Sequence, residues 1–191
     1  TENNFYDTRT GAAATAQSKI LYLSDPGQAL DRIDPVASGD STTALTTLSG
    51  SLALDNTTRK SGYASSFTFL HTTGTGENRL LLVGVSMRQG GASVSRVTYG
   101  GANLMRVGYK IYGTDTRMEI WQLVNPPAGG NDVVVVLDAP SSTVIGAVTF
   151  KGVNQAEPLG AFVSASGSSK TPSVTVASAA GEWVFDTMSS R

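Results

Sequence analysis

The chain has 191 residues, a formal net charge of −1, no cysteine and only 15% charged residues, against about 25% in an ordinary globular domain. Its length allows one domain with a real core, or one domain plus an extension. The balanced, scattered charge argues against nucleic acid and anionic membranes as partners. No apolar run approaches the roughly 18 residues of a membrane-spanning helix, and the lack of cysteine excludes disulfide scaffolds and cysteine-ligated metal sites.

Residues 1–50 have the composition of an extended arm or linker, too poor in apolar residues to fold alone. Within it KILYLS (19–24) is the one credible strand, and LDRIDP (30–35) fits a single helical turn stopped by Pro35. From residue 51 onward strand signals recur about every ten residues. YASSFTFLH (63–71) alternates, with Tyr63, Phe67 and Phe69 predicted on one face. RLLLVGVSM (79–87) is almost continuously apolar, the pattern of a strand buried on both faces. SVSRVTYGG (93–101) leads through a Gly100-Gly101 hairpin turn into ANLMRVGYKIYG (102–113). RMEIWQLVNPP (117–127) ends at two prolines. AGGNDVVVVLDAP (128–140), TVIGAVTFKGV (143–153), LGAFVSAS (159–166), PSVTVAS (172–178) and EWVFDTM (182–188) follow as separate strands. The pattern predicts an all-β protein, an antiparallel β-sandwich or jelly roll of about nine or more short strands spanning 51–191. No internal repeat points to a solenoid or propeller.

The residues supply little for catalysis. His71 is the only histidine, so no histidine-based metal site can be assembled, and no nucleophile motif accompanies it. Glu119 and Glu182 each lie near a tryptophan, Trp121 and Trp183. Glu119 shares a strand face with Trp121, whereas Glu182 points away from Trp183. Two core tryptophans with acids at the rim is the expected arrangement, ahead of the facing carboxyl pair of a glycosidase. GTGENR (74–79) precedes a strand and not a helix, so it reads as a turn and not a phosphate cradle. No cofactor is expected; the Asp- and Asn-bearing loops at 55–56, 131–132 and 154–157 are the candidates for a structural Ca²⁺. Tyr109 and Tyr112 are the best candidates for stacking a sugar ring. The five lysines (19, 60, 110, 151 and 170) also permit a Lys–Asn cross-link wherever an acid stands beside both partners.

Taken in order, NRLLLVGVSMR, VSRVTYGGANLMRVG, MEIWQLVNPPAGGNDVVVVL, IGAVTFKGVNQAEPLG and AAGEWVFD resemble a module of large secreted bacterial cell-surface proteins. The resemblance covers about two thirds of the chain. It implies a lectin-like β-sandwich at the cell surface, with no site residues to carry over. Measured against that pattern the last strands are expected to be missing, and a start at Thr1 reads as a processed or excised piece of a longer precursor.

These readings converge on a non-enzymatic, extracellular structural or adhesive module. Its strand-donor candidate is Lys19, Ile20, Leu21, Tyr22, Leu23 and Ser24, and its acceptor edge is Trp183, Phe185 and Thr187. Its expected partners are other copies or neighbouring modules, assembling into a filament by strand donation. The alternative is a carbohydrate-binding module using Tyr109 and Tyr112.

Overall fold

A computed structural model describes residues 52–88, 92–114, 116–167 and 173–188 in full, and the strand backbone alone at Ala14–Ala16 and Lys19–Leu23. Among these residues there are eleven strands and no helix: β1 (Ala14–Ala16), β2 (Lys19–Leu23), β3 (Ala53–Thr73), β4 (Leu80–Arg88), β5 (Val94–Tyr99), β6 (Ala102–Asn103), β7 (Met105–Tyr112), β8 (Thr116–Val124), β9 (Gly129–Lys151), β10 (Val174–Val176) and β11 (Trp183–Thr187). The helical turn expected at 30–35 and the donor residue Ser24 lie outside the described residues.

The main sheet has seven antiparallel strands in the order β6-β5-β9-β4-β8-β7, with β3 added on β9. Its frame is the long pair β3–β9, which runs from Ala53↔Lys151 to Thr73↔Gly129. One half of β9 also pairs with β5 and the other half with β4. Only Leu104 separates β6, which pairs with β5, from β7, which pairs with β8. The sheet therefore curls until its two ends meet in one bent stretch of chain, and it nearly closes into a barrel. The all-β antiparallel architecture is the expected one. The two separate sheets of a sandwich or jelly roll are not distinguished in it.

The corner of the long pair departs from the sequence reading. Ala64 pairs with Ser141 but Ser66 with Val136, so Leu137–Pro140 stand opposite Ser65 alone. Pro140 was expected to end a strand. It falls within this bulge, where its missing N–H breaks no ladder bond, and β9 continues as one strand of 23 residues. The bulge also exchanges the faces of β3: Phe67 is buried while Tyr63, expected beside it, is 68% exposed. Asp138 pins the corner to β5, accepting hydrogen bonds from Ser93 N at 2.7 Å and Ser93 Oγ at 2.6 Å. Those bonds hold its carboxyl below the usual range.

The apolar run of β4 is explained by two cores. Leu81, Val83, Val85 and Met87 face the interior, with Phe67, Val97, Tyr99, Trp121, Val133, Val135, Ile145 and Ala147. Leu80 and Leu82 face an outer cluster with Leu52, Ile120, Phe150 and Val153. Each such buried side chain contributes about 1.5–3 kcal/mol. The β5–β6 turn is Gly100-Gly101, both at positive φ (55° and 84°), as a two-residue type I′ hairpin requires. Residues 159–166, expected as a strand, form only an isolated bridge at Val163, while Leu159 and Phe162 pack as coil against the outer cluster.

Two short pairs form the outer layer: β1 with β10, and β2 with β11. Residues 1–50 thus contribute a second strand, β1, that their Ala-rich sequence did not announce. Trp183 and Phe185 pack on the outer cluster, and Val184 turns toward Val163, Val174 and Val176.

Candidate functional site

The donor and acceptor segments meet in one chain. β2 and β11 run antiparallel with Trp183↔Leu23, Val184↔Tyr22, Phe185↔Leu21, Asp186↔Ile20 and Thr187↔Lys19. β11 seats on the main sheet through its apolar face. Trp183 meets Phe150 edge-on with ring centroids 6.2 Å apart, and Thr187 lies over Gly84, its Oγ1 3.3 Å from where a Cβ would stand. Beside β11 is an apolar trough of about 220 Å³ floored by Leu54, Val148 and Phe150.

The second constellation lies on the face of β7 and β8 that carries Trp121, buried on β8 and exposed on β7. Register places Arg106 opposite Trp121, Tyr109 opposite Glu119, and Ile111 opposite Arg117. Tyr112 pairs with Thr116, three residues further along the pair. On a strand that odd spacing puts it on the other face, so Tyr109 and Tyr112 do not build one stacking surface. Glu119, expected at the rim, is instead completely buried. Its Oε1 accepts from Arg117 Nε at 2.7 Å and Val94 N at 3.0 Å, bonds that no strand periodicity could reveal. Its Oε2 has no hydrogen-bond donor and lies 3.8 Å from Arg106 Nη1. Trp121 is buried as expected, yet its Nε1 has no acceptor. Both guanidinium groups lie over Tyr109, at 5.1 Å for Arg106 and 4.4 Å for Arg117. Glu182 is not part of this group; its carboxylate accepts from Ala179 N at 2.7 Å and closes a turn.

His71 belongs to a third group. It is buried, with Nδ1 2.9 Å from Thr58 Oγ1 and Nε2 2.6 Å from Thr149 Oγ1. Thr73 Oγ1 joins Thr149 Oγ1 at 3.4 Å and the Tyr99 hydroxyl at 2.9 Å. Burial lowers the His71 pKa below 6.5, opposed in part by the negative charge of Asp55. Its hydroxyl partners are Thr58, in the other half of β3, and Thr149, on β9, so the imidazole ties the curled sheet together.

Of the stretches expected as oxygen-bearing loops, 55–56 lies within β3 and 131–132 within β9, and only 154–157 is a loop. Asp55 accepts from Gly74 N at 2.7 Å, Asn56 bonds Thr72 O and Thr57 N, and Asn154 accepts from Ala156 N and Glu157 N. GTGENR (74–79) forms a turn held by Arg79, whose guanidinium reaches Gly76 O, Pro126 O and Asn125 Oδ1. Among the described residues no group of three or more His, Cys, Asp or Glu side chains is placed to hold a metal ion. Lys60 and Lys151 are exposed, whereas Glu119 is the one fully buried acid among the described residues. No helix among the described residues is long and apolar enough to cross a membrane. Compared with family models, curated proteins and solved structures, the chain matches none of them.

Proposed function

We propose that this chain is a non-enzymatic, extracellular structural or adhesive module of the lectin-like sandwich kind found in bacterial surface proteins. In this reading the strand Lys19–Leu23 completes the outer layer in its own chain or, by donation, in a neighbouring copy. The observation that carries it is the five-residue register between β2 and β11. A segment from the polar arm supplies the ladder partner of a strand that lies beyond the whole main sheet in sequence. The geometry needed in trans is the same as in cis, because a strand edge reads backbone N–H and C=O groups and not chain identity. In sequence, positions 24–51 lie between β2 and the main sheet. A head-to-tail exchange of this kind builds a filament and an exchange within one chain leaves a monomer.

The absence of native cysteine makes the test clean. Tyr22 and Val184 are register partners, so chains carrying only Tyr22→Cys are mixed with chains carrying only Val184→Cys under mild oxidation. A disulfide-linked heterodimer, in excess over either homodimer, is expected. If the mixture stays monomeric while a chain carrying both substitutions closes its own disulfide, β2 serves its own chain only and the assembly reading fails.

A further inference from the structure

We propose that the face of β7 and β8 that carries Tyr109 binds a saccharide that carries a carboxylate, with the sugar against the exposed edge of Tyr109 and the carboxylate on Arg106. Three observations carry this. First, Arg117 and Glu119 neutralise one another through a short hydrogen bond, which leaves Arg106 as the surplus charge of the group. Second, Arg106 is held in place without spending its donors. It is positioned by the Glu119 carboxylate at 3.8 Å, by the Tyr109 ring at 5.1 Å and by the Trp121 ring at 6.0 Å. Its side chain is 43% exposed, and a guanidinium with donors to spare suits a bidentate carboxylate. Third, Tyr109 is 46% exposed, an aromatic edge beside a cation.

The site shares no strand with β2 or β11, so it stands or falls independently of the assembly proposed above. Fixing the guanidinium in advance lowers the ordering cost of binding. Glu119 here is a positioning residue: it aims Arg106 and does not touch the ligand's carboxylate.

The chain holds two tryptophans, Trp121 and Trp183, so its two indole N–H signals form an internal control in heteronuclear NMR. Titration of the full chain with glucuronate is expected to move the Trp121 signal and leave that of Trp183, on the outer cluster, in place. Glucose, which lacks the carboxylate, and acetate, which lacks the ring, are both expected to bind more weakly than glucuronate. Arg106→Gln is expected to weaken glucuronate binding at least about tenfold, the loss of one charged hydrogen-bonded contact. Tyr109→Ala should do likewise, and Tyr112→Ala, on the opposite face, should leave affinity unchanged. No Trp121 response to glucuronate, equal binding of acetate or of glucose, or an equal loss in Tyr112→Ala would each overturn the proposal.

Discussion

His71 and Glu119 are both buried ionisable groups in the same core, near opposite ends of β5, and the chain handles them differently. At the Tyr99 end, both ring nitrogens of His71 meet threonine hydroxyls, and the Tyr99 hydroxyl lies 3.0 Å from Gly129 O and 3.2 Å from His71 O. At the Val94 end, one carboxylate oxygen of Glu119 is saturated and the other has only a distant charge for company. A buried polar network that is closed fixes one arrangement of the chain, while one left open keeps interaction capacity in reserve. The closed network reads as architecture and the open one as a candidate site.

The sharpest way to break this contrast is to remove a partner of Glu119. Arg117→Met leaves the carboxylate buried with Val94 N as its only hydrogen-bond donor. Stripping a buried pair of one member costs about 3–5 kcal/mol, which urea unfolding should register as a large drop in midpoint. Adding Glu119→Gln to that variant should recover part of the loss; no recovery would mean that the cost came from lost packing of the arginine stem. A smaller effect is expected at the closed end. Tyr99→Phe removes a hydroxyl shared among Thr73, His71 and Gly129, and a loss of about 1–3 kcal/mol follows from leaving those groups short of a partner. Should Tyr99→Phe prove as damaging as Arg117→Met, the two ends would not differ as argued.

The all-β class was legible, and for identifiable reasons. Leu80–Val85 read as a doubly buried strand because solvation leaves its mark on every position, and Gly100-Gly101 read as a turn because type I′ geometry demands positive φ. Pro140 misled because a bulge, invisible to periodicity, removes the penalty that proline carries in a ladder. The strand Ala14–Ala16 offered no signal, since its residues are small and its stability comes from pairing with Val174–Val176. At the site, Tyr109 was legible as an aromatic beside a turn, and the three-residue spacing already implied that Tyr112 faces away. Arg106, Arg117 and the burial of Glu119 were not. Their meeting depends on the bulge at Val107, which sets Arg106 opposite Trp121 but Gly108 opposite Ile120.

The smallest expected effect is the pH dependence of the closed end. Burial penalises the imidazolium, so the folded protein binds a proton at His71 less readily than the unfolded chain. Between the unfolded value of 6.5 and the lowered folded value, the unfolded state therefore holds more protons. Stability rises with pH across that window and falls as pH drops through it. The effect is moderated because Asp55 attracts the charged form. His71→Gln retains some hydrogen-bonding capacity toward Thr58 and Thr149 but cannot titrate. Its unfolding free energy, measured by urea at a series of pH values from neutral downward, should run flatter just below pH 6.5 than that of the parent chain. Parallel curves would show that His71 is already balanced against protonation, and would remove the titratable difference between a closed network and an open one.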